Sequence, residues 1–244
     1  MNVNAEKTVL ILGANSDTAR EAIVLYVEKG YRVIAASRNT GELNSFVGRS
    51  VKERDKVRIL YFDAEAFEGH RAFYAALPEK PHIVVYAAGF LRDNEAALRD
   101  WAGAYRMMNV HYCGAVSILN IIVTDTDNSR LERIIGLSSL SGVRGRKSNF
   151  IYGSTKSAFT QYLAGLRQYL FSRKIVVNVL VAGYIRSKMT QGLDLPESLM
   201  LEPVYVARAV VGAGRGFTIV PGFKWKVIWW ILRLMPERWV AKLP

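Results

Sequence analysis

The stretch Thr8-Val-Leu-Ile-Leu-Gly-Ala-Asn-Ser-Asp-Thr-Ala19 decides the fold. Val9 to Leu12 is apolar without alternation, the pattern of a short strand covered on both faces. Gly13 permits a tight turn, and helical spacing follows from Ala19 to Glu28. A new helix start carries open backbone amides, here around Asn15, Ser16, Asp17 and Thr18, which can cradle a pyrophosphate. Small Ala14 and Ala19 allow helix and strand to approach closely. Taken alone, the same stretch also reads as an ordinary strand-to-helix turn.

Working outward, Arg32 to Ala36, Val57 to Phe62, Ile83 to Ala87, Arg133 to Leu137 and Ile175 to Val181 read as further strands. Helical patterns such as Phe159 to Phe171 lie between them. Strand and helix in repetition predict an α/β fold, a single doubly wound parallel sheet with helices on both faces. The 244 residues suit one domain, with residues 1–222 as its body and the basic, Trp-rich residues 223–244 as a C-terminal helix or tail of the same domain. Half the residues are apolar and 22% are charged, which excludes a disordered chain. Cys113 is the only cysteine, so no intramolecular disulfide forms. His70, His82 and His111 are scattered and predict no metal site. The start, Met1 to Lys7, lacks the basic opening and apolar core of a signal peptide, and Val227 to Leu232 is too short to span a bilayer. A cytoplasmic chain is the expectation. Its net charge of +12 attracts phosphates, but no nucleic-acid recognition motif accompanies it.

Chemistry concentrates in the second half. Tyr152 and Lys156 stand at i and i+4, on one face of a helix. Ser139 ends a strand, and the intervening loop can return it to Tyr152. A reacting oxygen that develops charge needs a proton and a hydrogen bond. Tyr152 suits the proton, with Lys156 expected to lower its pKa, and Ser139 suits the hydrogen bond.

These residues, in Leu137-Ser-Ser-x-x-Gly142 and Tyr152-Gly-Ser-Thr-Lys156, resemble the short-chain dehydrogenase/reductase family, as does Asn109 with Gly114. The resemblance covers roughly Thr8 to Gly214 and implies a Rossmann-like fold and NAD(P)(H)-dependent ketone–alcohol interconversion. It implies a catalytic set of Asn109, Ser139, Tyr152 and Lys156, with Asn109 anchoring a water and Lys156 gripping the nicotinamide ribose. For the cofactor it implies Gly13 and its loop, Asp63 beside adenine, and Ala87, Ala88 and Gly89. It also implies Gly183, Ile185 through its backbone, and Ser187. Asp17 and Ala19 depart from the family's loop glycines, with the carboxylate expected to cap the helix. Ala182 replaces a proline, and Tyr86 an asparagine. Arg38 after the second strand, with no acidic residue there, favours NADP(H) over NAD(H). Family members associate, so a homo-oligomer is expected.

Only about fifteen residues separate Ser187 from Pro203, a short lid that leaves room for a bulky substrate. Phe223 to Trp239 carries four of the five tryptophans amid Lys224, Lys226, Arg233 and Arg238. That composition serves either a membrane interface or a packed helix. Together with Gly142-Val-Arg-Gly-Arg-Lys147, Asn149-Phe-x-Tyr and Lys242-Leu243, the tail resembles the decaprenylphosphoryl-2-keto-ribose reductase subgroup. That resemblance implies a keto-sugar on a polyprenyl phosphate, met by Arg144, Arg146 and Lys147, at the inner face of the cytoplasmic membrane. A soluble ketone, lipid or steroid substrate, or a non-catalytic NADP-binding redox sensor, are the other readings.

Overall fold

The computed structural model describes residues 6–242. Residues 1–5 of the polar start, and Leu243 and Pro244 of the basic ending, lie outside the described residues.

Strands β1 (Thr8–Leu12), β2 (Arg32–Ser37), β3 (Val57–Tyr61), β4 (Ile83–Tyr86), β5 (Arg133–Ser139) and β6 (Val176–Ala182) form where the apolar runs predict them. A seventh, β7 (Thr218–Ile219), escapes the sequence reading because two residues carry no periodicity. The sheet order is β3-β2-β1-β4-β5-β6-β7, and every pairing is parallel. From β1 the chain winds one way through β2 and β3, then re-enters on the other side at β4. The crevice at this switch point opens beyond the carboxyl ends of β1 and β4.

Helices α1 (Asp17–Glu28), α2 (Thr40–Ser50), α3 (His70–Ala75), α4 (Asn94–Arg99), α5 (Trp101–Met108), α6 (Gly114–Thr124), α7 (Phe150–Tyr169), α8 (Pro203–Val211), α9 (Phe223–Leu234) and α10 (Glu237–Val240) complete the chain. Alternate strand residues serve opposite layers, as the period of two requires. Val9, Ile11, Val33 and Leu180 pack with Ala22 and Ile23 of α1, Leu43 of α2 and Val206 of α8. Leu10, Leu12, Val84 and Val179 pack with Ile118 of α6, Phe159 and Leu163 of α7, and Trp225 and Leu232 of α9. Burying each such large side chain contributes about 1.5–3 kcal/mol.

Two local features position the site. At Gly136 in β5, a Cβ would lie 2.4 Å from Leu163 and 2.6 Å from Phe159, so this glycine lets α7 lie close on the sheet. α7 begins at Phe150, so the helix expected to carry Tyr152 and Lys156 is continuous with the helical pattern at Phe159. Its first turns spend their inner positions on Tyr152 and Lys156 rather than on apolar residues, which hides them from a periodicity argument. Between α5 and α6 the residues Asn109–Cys113 form a π-turn, so Trp101–Thr124 is one continuous helical run. By length and composition it could cross a membrane, yet Met107, Val110, His111, Ala115, Ile118, Leu119 and Ile122 are buried, as in a core helix.

Candidate active site

At the cofactor end the backbone does most of the shaping. Gly13 has φ +84°, and a Cβ there would lie 2.3 Å from the Ala88 nitrogen. Only glycine satisfies both the left-handed backbone and this close approach between the β1 and β4 turns. Ala87 N–H donates to Leu12 O at 2.8 Å, fixing the two turns side by side. Ser16, not Asp17, caps α1: its Oγ accepts the Ala19 N–H at 3.2 Å. Asp17 is the first helical residue, one position past the cap. Its carboxylate accepts the Lys188 N–H instead, at 2.8 Å. The Asn15 side chain is fully engaged, donating to Ser37 Oγ (2.8 Å) and Asn39 O (2.7 Å) and accepting from Arg20 (2.9 Å). Thr18 is buried. Arg38 is half-exposed after β2 and reaches Glu65 at 3.4 Å, while Asp63 Oδ1 accepts the Glu65 N–H.

At the catalytic end side chains converge through packing. Ser139 ends β5 and is followed by a tight turn, Leu140–Gly142, where its Oγ accepts the Ser141 N–H at 3.2 Å. That turn lies against α7 through two glycines. A Cβ on Gly142 would meet Ser157 N at 2.8 Å, and one on Gly153 would meet Ser141 O at 2.5 Å. Ser138 completes the fastening by donating to Lys156 O at 3.1 Å. Ser139, Tyr152 and Lys156 therefore meet. The Ser139 hydroxyl faces the Tyr152 phenol, and the Lys156 Nζ lies 5.8 Å from the centre of the Tyr152 ring. Asn109 is buried at the head of the π-turn.

The electrostatics differ from the sequence expectation. Burial pushes the Tyr152 phenol up to about 12, with the Ser139 hydrogen bond working against it. Lys156 does not pull it down. Its ammonium is turned onto Leu137 O at 3.1 Å, and burial lowers it to about 8. The phenol is thus held protonated through the neutral range, the form a proton donor needs.

Beyond β6, Ile185 pairs with Leu201 through its flanking groups: Arg186 N–H donates to Leu201 O, and Leu201 N–H to Tyr184 O, both at 2.9 Å. Ile185's own N–H faces the other way. Ser187 N–H donates to Thr190 Oγ1 at 3.1 Å. The short lid is held at its base, because Arg186 pairs with Glu197 (2.6 Å) and Glu202 (2.9 Å). A cavity of about 590 Å³ is lined by Asp17, Arg20, Ser187 and Lys188. Gly183 is a glycine because of α9: a Cβ there would lie 2.1 Å from the Trp225 ring. Trp225 also stands edge-on to Tyr184 and donates to Leu199 O at 2.8 Å. Arg144 caps the far end of α9, donating to Leu232 O (3.0 Å) and Arg233 O (3.1 Å). Arg146 turns to Ser141, and Lys147 is exposed.

Sequence reading missed three contributors. Tyr86 donates to Val110 O at 2.5 Å, bracing the π-turn beside Asn109, which explains a phenol in place of an amide. Trp225 walls the Gly183 turn. His111 is wholly buried against Tyr152, and a histidine amid the apolar residues following Asn109 was the available signal. His70 and His82 lie elsewhere, on Asp63 O and on the Thr8 N–H.

Known proteins resemble this chain in sequence and fold. The family model described as short chain dehydrogenase matches residues 7–197. An uncharacterized oxidoreductase of Mycobacterium tuberculosis is 27% identical over 233 residues, spanning 93% of this chain and 90% of its own. A short chain dehydrogenase of Burkholderia cenocepacia, solved in complex with NADP, superposes with a TM-score of 0.80 at 17% identity, covering 96% and 95% of the two chains. One from Streptomyces avermitilis gives 0.82 at 18% identity, covering 97% and 94%. Fold, strand order and matched residues together make this chain a member of the short chain dehydrogenase family, whose chemistry is NAD(P)H-dependent oxidoreduction.

Proposed function

We propose that the protein reduces a ketone to a secondary alcohol with NADPH, its substrate a keto-sugar carried on a polyprenyl phosphate. The observation that carries the reduction is the meeting of Ser139, Tyr152 and Lys156 beside the Gly89 turn of the crevice. Gly13 brings the β1 and β4 turns into close approach at the switch point, and the open amides of the α1 start beside it fit a dinucleotide laid across the crevice. Gly13 to Thr18 would hold the pyrophosphate, Arg38 the 2′-phosphate, Asp63 the adenine side, and Ala87 to Gly89, Gly183, Ile185 and Ser187 the nicotinamide side. The NADP in the Burkholderia structure supports the choice of cofactor.

When bound, the cofactor supplies hydride. Ser139 accepts from the Ser141 N–H and would turn its own hydrogen, directed at Tyr152 here, to the substrate oxygen. Tyr152 gives its proton to that oxygen, and the Lys156 ammonium, held on Leu137 O, would grip the nicotinamide ribose. Asn109, at the loosened π-turn, would hold the water that returns a proton.

Two features support a lipid-linked substrate. Phe223, Val227, Trp230, Ile231 and Leu234 form an exposed apolar stripe on α9, at helical spacing and flanked by Lys224, Lys226 and Arg233. Such a face suits the surface of an anionic membrane, the cytoplasmic leaflet in this reading. Lys147 is free of α9 and remains a candidate for the phosphodiester; Arg144 is not, being spent as its cap. Exposed Trp101 and Tyr105 on α5 support self-association.

The test is turnover of polyprenyl-phosphate keto-sugars and soluble ketones with NADPH and with NADH. Wild type should prefer NADPH and the lipid-linked sugar, and Tyr152→Phe should lose about 10²–10⁴-fold in kcat. A Tyr152→Phe protein as fast as wild type ends the catalytic reading. Trp230→Ser with Leu234→Ser should release the protein from phosphatidylglycerol vesicles, and unchanged binding removes the membrane contact.

A further inference from the structure

His111 belongs to neither the hydride-transfer set nor a surface. It is fully buried on the π-turn, two residues after Asn109. The Phe90 N–H reaches its Nε2 at 3.0 Å. A backbone N–H can only donate, so Nε2 is the acceptor, and a neutral ring must carry its proton on Nδ1. That Nδ1–H lies 2.8 Å from Thr155 Oγ1, which in turn donates to Tyr152 O at 2.7 Å. The imidazole also stands edge-on to the Tyr152 ring, 5.3 Å between centres at 87°. On its other side a Cβ at Gly89 would come within 3.3 Å of both this ring and the Lys156 Nζ. Every polar atom of His111 is therefore spent, and the chain of bonds joins the turn after β4 to the main chain of the proton donor.

We propose that His111 is a positioning residue. As a neutral imidazole it ties the Gly89–Phe90 turn, which borders the cofactor crevice, to Tyr152 through Thr155, so that the cofactor ledge and the phenol keep one fixed separation. The inference rests on the reductase reading. A nearby cation and full burial both oppose a charge on the ring, in keeping with its pKa, which lies well below the ordinary histidine value through burial first and the Lys156 charge second. Protonation would also cost the Phe90 bond, because Nε2 would then face one N–H with another. No acid–base step is assigned to His111. Its work is geometric, and misplacing reacting groups by about 1 Å can cost about 10²-fold in rate.

Three substitutions separate the two bonds. His111→Phe keeps the ring and removes both. His111→Gln can present an acceptor to Phe90, and His111→Asn a donor to Thr155. We expect His111→Phe to lower kcat about 10–100-fold, with KM for NADPH within about threefold and a larger primary isotope effect from 4-deuterated NADPH. Each polar variant should recover part of the loss. In the cofactor-free protein, Phe90 amide exchange should accelerate about tenfold in His111→Phe and recover in His111→Gln. Nitrogen NMR of the wild type should show a neutral Nδ1–H ring at pH 6.

An unchanged isotope effect, or losses that track melting temperature alone, would overturn the proposal. So would an Nε2–H or charged ring, or unaltered Phe90 exchange in His111→Phe. If wild type reduces no ketone, the functional reading fails by itself, while the exchange and nitrogen measurements still decide whether His111 ties the two segments.

Discussion

The two ends of the crevice are built by different means. At the β1–α1 turn, glycine conformation and main-chain amides shape the surface, and the nearby side chains of Asn15, Arg20 and Asp17 bond to one another or to the lid. At the β5–α7 end, named side chains face each other because Gly136, Gly142 and Gly153 let a helix and a turn press together. A surface made of backbone tolerates changed side chains provided the path of the chain survives. A surface made of side chains does not. This difference accounts for the departures at Asp17 and Ala19 from the family's loop pattern, beside a proposed catalytic set with none.

The largest effect that would sharpen this contrast lies at Lys156. Lys156→Met should cost about 10²–10⁴-fold in kcat, with a far smaller change in nucleotide affinity. Its pH dependence follows from burial. The folded value is depressed to about 8, so the ammonium is present below that pH and lost above it. Reduction should run level to about pH 7 and fall to about a tenth of the plateau by pH 9. A rate still rising at pH 9 would show that the charge on Lys156 is not what the reaction needs.

Next comes Gly13→Ala, which combines a left-handed backbone with a Cβ 2.3 Å from Ala88. It should cost about 3 kcal/mol of stability, read by denaturant unfolding, and weaken NADPH binding at least about tenfold. A neutral result would mean that the turn relaxes and that its backbone is not the element that matters. The smallest effect belongs to Ala19→Gly, which restores a family glycine. Nucleotide affinity should stay within about twofold, and stability should fall by no more than about 1 kcal/mol. A tenfold gain in affinity would break the comparison, because the departure would then have a cost at the backbone-built end.

α9 repeats the contrast within one helix. Trp225 and Leu232 are buried and belong to the fold, whereas Phe223, Trp230 and Leu234 face outward. Its composition alone allowed a packed helix or a membrane face, and the tertiary arrangement gives it a packed side and an open one. The same arrangement diverts Arg144 from a phosphate-binding expectation to capping this helix.

Much of the protein was legible in its residues. Apolar runs marked six strands, most of them apolar because both faces are covered, though β3 at the sheet edge is part-exposed and carries Arg58, and β-branched runs alternating with helical spacing imply a parallel sheet. Tyr152 and Lys156 were legible because helical geometry makes i and i+4 neighbours without help from the rest of the chain. Most long-range contact was not legible. The Phe90–His111–Thr155 chain and the packing of Trp225 on Gly183 join segments distant in sequence, and only packing brings them together, whereas the loop after Ser139 already suggested its return to Tyr152. The acidity of Tyr152 was misjudged for the same reason: charge type can be read from a letter, but burial and the direction of the Lys156 ammonium belong to the folded interior, where desolvation outweighs a neighbouring charge turned elsewhere.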